Sequence, residues 1–172
     1  MGTLTVQTLQ APSSGADANK VIIPSTNSLY APNHIVQVLT QELTAIVTTT
    51  STSDVATGFT LTITPKSTSS KIKITAGMNG LQVNAVQSAI AFHLYKNGSF
   101  HKYLHAVVGY ADPVQYNSDT TLMYVDSPST TSAVTYAIYW KRGYGSGTCY
   151  YNNYTTSNNT TRSWFTVEEI AQ

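Results

Sequence analysis

Three features of this 172-residue chain predict an all-β fold, an antiparallel β-sandwich or jelly roll. From His34 onward, strand-like runs recur roughly every 8 to 14 residues, the spacing of a sandwich. Within most runs apolar and polar residues alternate with the period of two that a half-buried strand requires. Only 10% of the residues are charged, against a usual figure of about 25%, while Ser, Thr and Asn supply roughly a third of the chain. Thr suits the solvent face of a strand and Asn and Ser suit turns, whereas the shortage of Lys and Glu argues against long solvent-facing helices.

Residues 1–33 differ from the rest. Short apolar pieces (Leu4, Val6 and Leu9, then Val21, Ile22 and Ile23) are separated by Pro12, Ser13, Ser14, Gly15, Pro24 and Pro32. Such pieces cannot close a core alone, so they predict an extended N-terminal attachment arm that lies against neighbouring subunits or a larger assembly. Residues 34–172 form the predicted head, long enough to bury on the order of 70% of its unfolded surface.

The head contains ten expected strands: 35–39, 43–48, 58–64, 71–77, 88–96, 101–109, 121–125, 133–141, 148–151 and 164–171. Phe59, Leu61 and Ile63 oppose Thr60, Thr62 and Thr64, so a slip of one residue would exchange an apolar face for a hydroxyl face. Lys71 and Lys73 alternate with Ile72 and Ile74, a charged outer face over an apolar inner one. Run 89–95 is apolar on both sides, which fits either a central strand or burial against a second subunit. Val134, Tyr136, Ile138 and Trp140 share one face of the most clearly patterned strand, with Thr135, Ala137 and Tyr139 on the other. Asn97-Gly98 marks a tight hairpin, since both residues tolerate positive φ. Residues 65–69, 126–128 and 143–147 carry the other turn signals.

Little of the chain suggests reaction chemistry. A net charge of +1 offers no basic patch for nucleic acid, and no run approaches the ~20 apolar residues of a membrane span. No basic region followed by an apolar run opens the sequence, so synthesis in a cytoplasm is expected. Cys149 is the only cysteine, which leaves stability to packing or association. His101 and His105 lie four apart, but on a strand alternation puts them with Tyr103 on one side and too far apart to share an ion easily. Asp126 reads as a turn carboxylate bonding the local backbone. Glu169 follows Phe165 and Val167 onto the core face and needs a partner, for which a cation from another subunit is one answer. Hydrolase, phosphate-loop and calcium-loop patterns are missing, so no catalytic, cofactor or metal residue is expected. Tyr110, Tyr116, Tyr144, Tyr150, Tyr151 and Tyr154 fall in or beside loops rich in Gly, Asn and Ser. That mixture suits either receptor or glycan contact, or interface packing.

Residues 15–39, GADANKVIIPSTNSLYAPNHIVQVL, resemble a segment of bacteriophage tail-fibre and other virion surface proteins that leads into their C-terminal domain. Residues 126–139 resemble the Asp-Ser-Pro turn and alternating Tyr strand of those domains, and residues 167–171, VEEIA, are similar to their closing segment. Asn33 stands where these proteins often carry Gly, a replacement Asn allows because it too tolerates positive φ. No long shaft is expected before the junction.

The resemblance implies a homotrimer of β-sandwich heads on a virion, made in the host cytoplasm. Its implied partners are other virion proteins, tail or capsid, through the arm; the aromatic and amide groups of the loops around 112–119, 143–147 and 150–159 suit a host surface glycan. The expectation is a non-enzymatic short tail fibre or fibre head for host attachment. A trimeric capsid decoration protein is the alternative, and a glycan-cleaving spike a more distant one.

Overall fold

The structure is a computed structural model that describes residues 13–15, 31–109, 118–153 and 161–172. The chain divides into two units, Met1–Tyr30 and Ala31–Gln172. Of the first, only 13–15 are described, as a bend with Gly15 at φ +89°. The predicted arm up to Tyr30 otherwise lies outside the described residues.

The second unit is all-β, with no helix among the described residues. Its strands are β1 (Ile35–Leu43), β2 (Val47–Thr49), β3 (Val55–Ile63), β4 (Lys71–Val83), β5 (Ser88–Lys96), β6 (Ser99–Gly109), β7 (Ser118–Asp126), β8 (Val134–Tyr144), β9 (Cys149–Tyr151) and β10 (Ser163–Ile170). Each of the ten expected runs overlaps one of them. The largest difference is in β4, which continues past Gly77 to Val83. Its register shifts between Met78 and Leu81, and Gly80 there takes φ +59°, so the strand bends from its pairing with β7 onto β9. A bulge interrupts the alternation from which strands are read.

Two antiparallel sheets result, as in a β-sandwich. One runs β1-β10-β4-β9-β2 with β7 also on β4, and the other runs β3-β8-β5-β6. Their inner faces share one core, in which Trp140, Tyr136, Tyr151, Phe59, Phe92 and Phe165 are fully buried. Alternation sends Phe59 and Ile63, Ile72 and Ile74, and Val134, Tyr136, Ile138 and Trp140 into it, and leaves Thr60, Thr62 and Lys71 outside. Run 89–95 is a central strand, because β5 lies between β8 and β6.

Gln41 and Gln37 tie β1 to the other sheet. Gln41 donates to the Gly58 carbonyl at 3.0 Å and accepts from the Thr60 amide at 2.9 Å, across a bulge where Gly58 adopts φ +100°. Gln37 donates to the Thr64 carbonyl and to Glu169 Oε2. Glu169 is fully buried, as its place in the alternation required. Its partners come from its own chain, however: Gln37, the Lys66 amide at 2.7 Å and the Ser70 hydroxyl at 2.6 Å. No cation from another subunit is needed, since these donors satisfy the buried carboxylate.

The turns follow the residues that specify them. Asn97 (φ +50°) and Gly98 (φ +79°) close the β5–β6 hairpin. Asn33 adopts φ +66°, and its amide donates to the Ala171 carbonyl at 2.8 Å. Asp126 departs from the expectation. Rather than bonding the turn backbone, its carboxylate is buried and meets Tyr136, Lys96 and His101. The last residue of β7 points toward the facing sheet, which supplies all three of these partners.

Candidate functional site

The outer face of the four-stranded sheet carries the site. Because Phe92 and Leu94 of β5 and Ile138 and Trp140 of β8 point into the core, alternation turns Ala89, Ala91, His93 and Tyr95, with Ala137, Tyr139 and Lys141, outward. The pairings put Ala91 opposite Lys141 and His93 opposite Tyr139.

On β6 two extra residues break the period. The register skips His101 between Lys102 and Phe100, and Leu104 between His105 and Tyr103. Phe100 and Tyr103, three apart, thereby reach the same outer face, while His101 turns toward Asp126 and Leu104 packs on the core. The expected grouping of His101, Tyr103 and His105 on one side is therefore corrected, because each bulge shifts the phase of everything after it.

His93, Phe100, Tyr103 and Lys141 line an open groove of about 660 Å³, together with Asp54, Ala89, Ala91, Gly143 and Tyr144. Small residues keep it open: a Cβ at Gly143 would sit 3.0 Å from the Ala91 Cβ. The rings of Phe100, Tyr103 and Tyr144 are each more than half exposed.

Beneath the rings lies a polar cluster. Asp54 Oδ2 accepts from the Tyr95 hydroxyl at 2.8 Å and lies 2.8 Å from His93 Nδ1. Lys141 Nζ stands 3.6 Å from Asp54 Oδ1. Burial disfavours the Asp54 charge, but the bonds from His93 and Tyr95 and the nearby positive charge outweigh it and hold its pKa below the ordinary value. The same bond pushes the Tyr95 hydroxyl up. Tyr95 is locked further by stacking on Tyr139 at 3.9 Å between centroids. His93 is nearly buried, meeting Phe100 edge-on at 5.3 Å and Tyr103 at 5.2 Å.

The chain matches no family model and no curated protein.

Chemically, Asp54 orients the His93 ring and leaves Nε2 without a hydrogen-bond partner among the described residues. No nucleophilic hydroxyl or thiol bonds to it there, and no group of three or more His, Cys, Asp or Glu among the described residues could hold a metal. The arrangement suits binding: aromatic faces for an apolar surface, and fixed polar groups for orientation.

Of the tyrosines singled out in the sequence, Tyr144 lines the groove. Tyr150 on β9 is half-buried, lies outside the groove lining, and its hydroxyl accepts from Asn84 Nδ2 at 3.3 Å. Tyr151 is fully buried in the core, its hydroxyl donating to the Thr57 carbonyl, so it presents nothing to a ligand. Tyr110, Tyr116 and Tyr154 lie outside the described residues. The sequence reading missed Asp54, His93, Phe100, Tyr103 and Lys141. Phe100 and Lys141 border turn signals, but only the bulged pairing brings them to one face.

Proposed function

We propose that this protein is a structural component of a bacteriophage virion, a short tail fibre or fibre head that attaches to the host surface without catalysing a reaction. In this reading it is a homotrimer of jelly-roll heads, and residues 1–33 are the arm that docks to other virion proteins.

Strand order supports the jelly roll. With the short β2 and β9 set aside, the long strands pair first with last and then inward: β1 with β10, β3 with β8, β4 with β7, β5 with β6. Successive pairs alternate between the two sheets, as a long folded-over hairpin does when it wraps into a jelly roll. The virion assignment rests on the sequence resemblance, whose segments include the first half of β8, to Tyr139, and the end of β10. Exposed Val38, Met123 and Val125 on the six-stranded sheet favour self-association.

The observation that carries attachment is the aromatic groove, since three large rings left in solvent above an ordered polar cluster are costly unless something covers them. Purified protein should compete with virions for adsorption to host cells, and the Phe100→Ala/Tyr103→Ala variant should not. Equal competition by both would remove the groove from attachment. Copy number in virions separates an appendage, at a few tens, from capsid decoration, at hundreds.

A further inference from the structure

We infer that the groove takes a saccharide whose ring bears a carboxylate, with the ring against Phe100, Tyr103 and Tyr144 and the carboxylate at Lys141 Nζ. The inference deepens the attachment reading above and rests on it for the source of the ligand, a host surface polymer.

The rings supply the first half of the match. Phe100, Tyr103 and Tyr144 are 55%, 54% and 61% exposed, and they border a groove within the ~300–1,000 Å³ range of small-molecule sites. A pyranose presents C–H faces that pack on such rings and a hydroxyl edge that seeks polar partners.

The polar groups supply the second half. Both oxygens of Asp54 are withdrawn from a ligand: Oδ2 already serves His93 and Tyr95, and Oδ1 is buried without a hydrogen bond. Lys141 is the reverse case. At 3.6 Å its Nζ is too far from Oδ1 for a hydrogen bond, so its three N–H donors are uncommitted to protein among the described residues. The other cations of these strands are turned elsewhere. Lys96 is bound to Asp126, Lys102 lies over the Tyr124 ring, and Arg142 Nη1 donates to the Gly147 carbonyl. The groove thus shows one ammonium with its counter-charge held underneath, and no free carboxylate. A sugar hydroxyl can also accept from this ammonium, but a ligand carboxylate meets it in a charge-assisted bond roughly twice as strong, so the lysine favours the acidic sugar.

Titration calorimetry of the full chain with a glucuronate-containing oligosaccharide and its glucose counterpart tests this. The acidic ligand should bind at least about tenfold more tightly. Lys141→Met should erase that preference, Lys141→Arg should keep most of it, and Tyr103→Ala should weaken both ligands. Equal binding of the two sugars, or an unchanged preference in Lys141→Met, overturns the inference. Equal binding of a sulfated counterpart overturns its restriction to carboxylates. If no sugar binds while the protein still competes for adsorption, the inference fails and attachment stands. If acidic sugar binds but the protein does not compete, attachment fails and the groove's ligand class stands.

Discussion

The Tyr136 hydroxyl donates to Asp126 Oδ2 at 2.6 Å, joining the end of β7 to the start of β8 across the space between the two sheets. Lys96 Nζ reaches the same oxygen at 2.6 Å, and His101 Nε2 lies 3.5 Å from the other. One carboxylate thus gathers three strands of the four-stranded sheet onto one strand of the other.

Asp126→Asn should destabilise the fold by about 2–4 kcal/mol, because Lys96 and Tyr136 lose a charged acceptor in a largely buried place. The wild-type pH profile should show the same contact. Burial pushes the Asp126 pKa up, but the Lys96 and Tyr136 bonds and the charges of Lys96 and His101 prevail and lower it. A depressed carboxylate stabilises the fold above its unfolded pKa of about 3.9, and that contribution disappears as pH falls through the lower folded value. Urea midpoints measured from pH 7 to pH 2 should fall steeply below about pH 4 in wild type and less steeply in Asp126→Asn.

Gly145 and Gly98 both sit in the left-handed region, at φ +75° and φ +79°, but only one is crowded. A Cβ at Gly98 would meet nothing within 4 Å, whereas at Gly145 it would overlap the Gln87 carbonyl and approach the Ser88 Cα to 2.8 Å. Gly98→Ala should therefore cost about 1 kcal/mol, the conformational term alone. Gly145→Ala should cost about 2 kcal/mol more, because backbone atoms must move. Thermal unfolding of the pair checks the difference.

Cys149 should resist thiol reagents until the protein unfolds. It is fully buried, and burial pushes its pKa up to about 11, so almost no thiolate exists at neutral pH. The labelling rate in a urea series should follow the unfolded fraction; fast labelling of native protein would contradict this burial. A raised thiol pKa also means that its contribution is present below the unfolded value of about 8.5 and is lost as pH rises toward 11.

Met123 and Val125 project from β7 into solvent at 66% and 45% exposure, on the outer side of the six-stranded sheet. If that face joins copies of this chain, Met123→Lys/Val125→Lys should turn a trimer into monomers in sedimentation while strand content in circular dichroism stays the same. A trimer that survives both lysines would place its contacts elsewhere.

Strand positions were legible because the alternation of Phe59, Leu61 and Ile63 against Thr60 and Thr62, or of Tyr136, Ile138 and Trp140 against Ala137 and Tyr139, is a local property of the backbone. Burial of Glu169 followed from the same period, and the positive φ of Asn33 and Asn97 from what those side chains tolerate. Partners were another matter. Glu169 finds donors at Gln37, Lys66 and Ser70, and Asp126 finds Tyr136 and Lys96, through strand pairings that no local pattern encodes. The groove depends on pairing still more. Two bulges in β6 rotate Phe100 and Tyr103 onto the face where β5 offers His93 and β8 offers Lys141. Sequence alone therefore determined where the strands lie and, wherever no bulge intervenes, which faces are apolar, since a period of two needs only neighbours along the chain. Tertiary structure decided which charges meet and where rings collect, since those depend on register between strands far apart in sequence.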